Sequence, residues 1–239
     1  TFSVDGKPIR GGRKEYETVA RGMVESGMVA AGYALIDTAS RNHPAYENEA
    51  LVGEAVRARA TDRGGGVFIS TKLSPAAHGL DAARAGMSDA LRALRVDQVD
   101  LVLIHPPACL MRPPGDVCEG PWEDTWRALE RLYAEGYARA IGVCNFDAPT
   151  LARLFELAVA PVAVVQNWMD PFHQDADARA LAAARGAAYQ SFSTRGRQYV
   201  ARCVDGELVN VGENPVLADA TLGAIARKHA RSPAAVALR

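Results

Sequence analysis

Asp37 closes a short apolar run, "YALID", and Tyr46 follows nine positions later, ahead of a helix-like stretch. Lys72 ends a second such run, "VFISTK", and His105 a third, "DLVLIH". A buried strand does not ordinarily end on a charge unless something beside it uses that charge. These four side-chain types make a chemically consistent set. An ammonium beside a carboxylate is kept charged and held in place. A phenol beside that ammonium has its ionised form stabilised, which draws its pKa down from about 10. Such a phenol can hand its proton to a carbonyl oxygen as that oxygen gains charge. A neutral imidazole can hydrogen-bond the same oxygen and orient the substrate. Asp37, Tyr46, Lys72 and His105 therefore read as a proton-donor set for carbonyl reduction. No side chain supplies hydride, so a reduced nicotinamide is implied.

Those residues need elements that bring them together. Six short β-branched runs alternate with longer amphipathic ones: Tyr33–Thr38, Val67–Lys72, Val99–His105, Ala140–Asn145, Val162–Asn167 and Ala187–Ser193. Several are nearly continuous in Val, Ile and Leu, as parallel strands covered by helices are. "MSDALRALRV", "TWRALERLYAEG", "APTLARLFELA", "ADARALAAARG" and "LADATLGAIARKHA" read as the covering helices, with stops at Gly136 and Gly186 and Pro149 in a first turn. Trp126 falls on a core face. The alternation predicts a parallel α/β architecture. An open dinucleotide-binding sheet would carry GxGxxG after its first strand, and none is present, so a (β/α) barrel is preferred. In a barrel the chemistry gathers at the C-terminal strand ends. Here those ends are Asp37, Lys72, His105, Asn145, Gln166–Asn167 and Ser191–Ser193, six polar deliveries to one rim.

Composition excludes other classes. The chain has 239 residues, within reach of a single barrel domain spanning 1–239. A net charge of −1 favours neither nucleic acid nor an anionic membrane as partner. No apolar run approaches the roughly 18 residues of a membrane span, and the first residues lack a signal core, so a cytoplasmic location is expected. Four cysteines without CxxC or Cys/His spacing suggest reduced thiols rather than a metal site, although Cys109 and Cys118 share one loop. His43 and His173 read as solvated loop residues, His78 and His229 as helix-surface ones. The long loop from Pro106 to Pro121 overhangs the rim, which makes Trp122, just beyond it, a candidate wall of the substrate pocket.

The motifs taken in order resemble the aldo-keto reductase family. "DTASRNHPAYENEALVG" resembles its aspartate, Thr-Ala, tyrosine and Asn-Glu pattern before a helix glycine. "FISTKL" and "DLVLIHPP" resemble its strand-end lysine and histidine, "IGVCNF" its glycine-valine-x-Asn-Phe segment, and "VVQNWMDPF" its glutamine-bearing strand. The resemblance runs from about Tyr33 to Arg239. It implies a (β/α)8 TIM barrel, here lacking parts of its first and last strand–helix units and so truncated at both ends. It also implies NADPH-dependent, reversible interconversion of aldehydes or ketones with alcohols, NADH not being excluded. By motif position Tyr46 is the proton donor, Lys72 its tuner, Asp37 the partner of Lys72, and His105 the orienting group. Asp37 also lies on the cofactor side. Asn145 and Gln166 would hold the nicotinamide carboxamide. "SFSTRG" fills the family's Ala-Tyr-Ser-Pro-Leu-Gly segment, which makes Phe192 the stacking platform and Ser193 a phosphate contact. Tyr189 is the rival platform, three residues earlier. Arg195 stands where the family commonly has Leu and, with Arg197, could meet a pyrophosphate or simply be solvated. Cys144 replaces the family's usual Ser.

Two other readings compete. One is a cofactor-binding barrel that is catalytically weak and acts as a regulatory or interaction subunit. The other is a metal-dependent hydrolase using Asp37 and His105, disfavoured because the remaining strand ends offer Lys, Asn and Gln rather than metal ligands.

Overall fold

The computed structural model describes residues 22, 33–40, 48–63, 66–74, 76–108, 118–204 and 207–239. Among these, six parallel strands form one sheet in sequence order: β1 (Leu35–Asp37), β2 (Phe68–Leu73), β3 (Leu101–Ile104), β4 (Ile141–Cys144), β5 (Val162–Trp168) and β6 (Ala188–Phe192). All six predicted strands are present, most of them shorter than the apolar runs that announce them. Helices fill the crossovers: α1 (Glu49–Arg63), α2 (Leu80–Leu94), α3 (Trp122–Ala134), α4 (Ala148–Leu157) and α5 (Ala176–Ala184). The parallel α/β expectation holds.

The helices pack on one face of the sheet. Met87 and Leu94 of α2, Trp126, Leu129 and Leu132 of α3, and Leu151 and Leu154 of α4 meet Ile69, Val102, Ile104, Ile141, Val143 and Val165 from the strands. Full burial of each large side chain contributes about 1.5–3 kcal/mol. The period-2 alternation of a strand sends the intervening residues to the opposite face. There Leu101, Leu103 and Cys144 form a second, smaller cluster with Ala140, Val164 and Phe192. Gly142 belongs to this inner face. A Cβ at that position would lie 2.2 Å from the carbonyl oxygen of Val164 and 2.9 Å from Leu103 Cδ2, so only glycine allows β4 and β5 to approach as they do.

Local chemistry sets the ends. Asp147 caps α4 by accepting from the Thr150 N–H at 2.9 Å, with Pro149 in the first turn as predicted. Past β6 the chain forms a short helix, α6 (Arg197–Val200), and an antiparallel pair, β7 (Ala201–Val204) with β8 (Glu207–Asn210). Neither strand of the pair is among the six expected. Its sequence signal is the Asp-Gly at 205–206 between two β-prone runs. Three more helices follow: α7 (Pro215–Ala218), α8 (Ala220–Lys228) and α9 (Pro233–Ala237). No helix of the described residues is long and apolar enough to cross a membrane.

Candidate active site

Strand register explains how the rim assembles. Asp37 lies beside Ser70, Lys72 beside Leu103, and Cys144 beside Gln166. Asp37, Ser70, Lys72, Cys144 and Gln166 therefore share the inner face near the C-terminal ends of their strands. Lys72 is 1% exposed and its ammonium donates to Asp37 Oδ2 at 2.5 Å. It also donates to the Thr38 carbonyl at 3.0 Å. Asp37, 29% exposed in its side chain, accepts at Oδ1 from Ser70 Oγ (2.9 Å) and Gln166 Nε2 (3.3 Å). A burial that would be costly for an isolated ammonium is thus offset by a carboxylate and a carbonyl, and the carboxylate is fixed by two further donors.

Asn48 and Glu49, at the start of α1, fasten the same strand ends from the other side. Thr38 Oγ1 donates to Asn48 Oδ1 at 2.7 Å and Thr71 Oγ1 to Glu49 Oε1 at 2.8 Å, all four residues being buried. Ser40 N–H donates to the Lys72 carbonyl at 3.0 Å. Tyr46 lies outside the described residues. The chain that carries it is pinned to β2 on both sides, at Ser40 and at Glu49.

His105 is half-buried and directly follows β3. Asn145 follows β4 in a left-handed conformation (φ 59°) and is exposed; its Nδ2 donates to Cys144 Sγ at 3.2 Å. The Cys144 thiol in turn donates to Gln166 Oε1 at 3.3 Å. The thiol is therefore a wedge between the two amides, a role its sequence position did not disclose. Burial pushes its pKa up to about 12, against the opposing pull of the Lys72 charge. Above pH 9.0, the ordinary value for this group, the unfolded chain loses a proton that the folded chain keeps, so this thiol favours unfolding as pH rises past 9.0. Cys144 is expected to resist iodoacetamide at pH 8 in the native protein and to react in urea, read by peptide mass spectrometry. Rapid native labelling would contradict the burial argument.

Phe192 and Tyr189 lie on opposite faces of β6. Phe192 packs on the inner cluster. Tyr189 packs on the outer one, and its hydroxyl donates to Asp175 Oδ2 at 2.6 Å. Asp175 also accepts from Asn167 Nδ2 at 2.9 Å. Beyond β6, Ser193 takes φ 54°, and its Oγ accepts from Gln198 Nε2 at 3.4 Å. Arg195 is exposed, with its carbonyl accepting from Asn214 Nδ2 at 2.7 Å.

Trp122, the first residue of α3, packs edge-on against Phe146, ring centroids 5.2 Å apart, in the outer layer. Other expectations are corrected. His78 is not on a helix surface: it is 2% exposed and hydrogen-bonded through both ring nitrogens. His173 is half-buried and stacks on Trp168 at 4.2 Å. Cys118 is disulfide-bonded, so the expectation of reduced thiols fails there. Cys109, Cys203 and His43 fall outside the residues whose side chains are described, while His229 is exposed as expected. Among the described residues no three His, Cys, Asp or Glu side chains gather as metal ligands would.

The model of the aldo/keto reductase family matches residues 10–239. An NAD(P)H-dependent D-xylose reductase of Scheffersomyces stipitis is 34% identical over 88% of this chain and 70% of its own length. An aldo-keto reductase of a Mycobacterium species is 34% identical over 87% of this chain and 64% of its own. The chain thus spans about two thirds of the length of these curated relatives. The aldose reductase structure from Giardia lamblia superposes with a TM-score of 0.76 at 28% identity, covering 99% of this chain and 75% of that one. The six parallel strands are those of a (β/α)8-type barrel, and the chain belongs to the aldo/keto reductase family.

Proposed function

We propose that this chain reduces an aldehyde or ketone to the corresponding alcohol with NADPH or NADH, with Tyr46 as the proton donor. The observation that carries the reading is the ion pair between buried Lys72 and the partly exposed Asp37 on the inner face, with Gln166 bonded to the same carboxylate. In this reading a reduced nicotinamide, when bound, supplies the hydride. The residues present fit such a ring. Phe192 offers a flat apolar surface on the inner face, while Asn145, just after β4, and Gln166, near the end of β5, bring amide groups bridged by the Cys144 thiol. Ser193 and Arg195 follow Phe192 where a phosphate would be met. The xylose reductase relative is named as NAD(P)H-dependent, which agrees with this cofactor.

The protein's own residues then have separable tasks. Lys72, held by Asp37 and the Thr38 carbonyl, presents a fixed positive charge that stabilises phenolate over phenol at Tyr46. Tyr46 gives its proton to the carbonyl oxygen as hydride reaches the carbonyl carbon. His105 hydrogen-bonds that oxygen and sets its orientation. Fluorescence titration with NADPH and NADH, together with turnover on a panel of aldehydes, tests the reading. Saturable binding with substrate-dependent oxidation of the nicotinamide is expected. Binding without turnover would instead support a regulatory cofactor-binding protein, and neither binding nor turnover would dispose of both.

A further inference from the structure

His78 is a buried histidine that the proposed chemistry does not use. It lies in the turn between β2 and α2, and its two ring nitrogens reach different segments. Nε2 is 3.0 Å from the Pro106 carbonyl oxygen and Nδ1 is 3.0 Å from Thr125 Oγ1. A carbonyl only accepts, so Nε2 carries a hydrogen. Burial pushes the imidazole pKa below its ordinary 6.5, so the ring is neutral near pH 7 and Nδ1 accepts from the Thr125 hydroxyl. That hydroxyl oxygen accepts in turn from the Gly79 N–H at 3.0 Å. Every group in this chain of hydrogen bonds has a complementary partner.

Both roots of the loop that follows His105 converge here. His78 holds Pro106, the residue after His105. Gly79, at φ 116°, lies against the far root: a Cβ there would come within 3.2 Å of Glu119 Cβ and 3.3 Å of the Gly120 nitrogen. Pro106 and Pro107 lack N–H groups, so two successive residues after His105 can be fixed through the backbone only by their carbonyls. A buried donor aimed at the first of those carbonyls meets that need. A hydrophobic residue would fill the same space and leave the carbonyl unsatisfied.

We propose that His78 is a positioning residue that fixes the Pro106 carbonyl and thereby the aim of the His105 ring. The inference rests on His105 as the orienting group of the proposed reaction. Displacing a reacting or orienting group by about 1 Å can cost on the order of 100-fold in rate. The bond here acts one residue away, so a smaller loss is expected.

Glutamine and asparagine separate reach from polarity. Gln Nε2 stands the same number of bonds from Cβ as His Nε2 and can still donate to Pro106, whereas Asn is one bond shorter. Three variants of the full chain, His78→Gln, His78→Asn and His78→Leu, are read in two ways. One is kcat and KM for an aldehyde with saturating NADPH. The other is the His105 ring signal in protein labelled at its histidines, of which there are five. His78→Asn and His78→Leu are expected to shift the His105 signal and lower kcat about tenfold, with KM and NADPH affinity changed less than about twofold. His78→Gln is expected to restore most of both. If His78→Leu fails to fold, the Gln and Asn pair decides. Indistinguishable Gln and Asn variants, or a His105 signal unmoved in Asn, would overturn the inference. A wild-type protein that turns over no aldehyde would remove the proposed reaction instead, and the His105 signals would still decide the positioning claim.

Discussion

Lys72→Met is expected to lower kcat/KM for aldehyde reduction by about 10²–10⁴-fold while leaving NADPH affinity within a few-fold of wild type. Methionine keeps an unbranched apolar stem only one heavy atom shorter than lysine, so most of the space at β2 stays filled. What disappears is the charge, 2.5 Å from Asp37 and bonded also to the Thr38 carbonyl. Without it a phenol at the site returns to its ordinary acidity near 10, and proton transfer to a carbonyl oxygen loses its driving force. Stability should fall as well, by roughly 1–3 kcal/mol, because the carboxylate loses its cation. The loss stays moderate because Asp37 keeps the Ser70 and Gln166 donors and 29% exposure. Steady-state kinetics, NADPH fluorescence titration and urea unfolding on the same preparation read the three quantities. A variant retaining more than a third of wild-type kcat/KM would show that the ammonium does not tune the proton donor.

Tyr46→Phe is expected to remove one oxygen atom and most of the rate, again about 10²-fold or more in kcat, with cofactor affinity kept. The substitution changes no charge and little volume, so far-UV circular dichroism and the unfolding midpoint should stay close to wild type. The informative comparison is the double variant. If the phenol and the ammonium act as one proton-donating unit, Tyr46→Phe with Lys72→Met is little slower than the slower single variant, because the tuner has nothing left to tune. Multiplying losses would mean that the two residues act on separate steps. Equal rates for Tyr46→Phe and wild type would take Tyr46 out of the mechanism.

Particular residues show how far the sequence could be read. A continuous Val, Ile and Leu run announced β3, because a strand covered on its outer face needs little else. The 3.6-residue spacing of Met87, Ala90 and Leu94 marked α2, and all three are buried there. Asp37 and Lys72 could be paired on paper because each ends such a strand, and parallel strands deliver their ends to one rim. His78, by contrast, sits five residues beyond a strand amid Pro, Ala and Gly. Nothing local says that Pro106 and Thr125, 28 and 47 positions away, will close around its ring. Trp122 follows a long loop, and nothing in its sequence position announces Phe146, against which its ring packs. Local sequence locates the start of a helix but not the direction in which its first side chain points.

The amino-acid order by itself determined the parallel alternation, the polar strand ends and the chemical types gathered at them, because these depend on periodicities of two and 3.6 residues within short stretches. Only the tertiary structure decided which partners complete them. The Cys144 thiol between Asn145 and Gln166, the face of β6 that carries Phe192 rather than Tyr189, and the hold of His78 on Pro106 are such outcomes. Each depends on strand register or on loop path, and contacts between residues far apart in sequence leave no periodic trace along the chain.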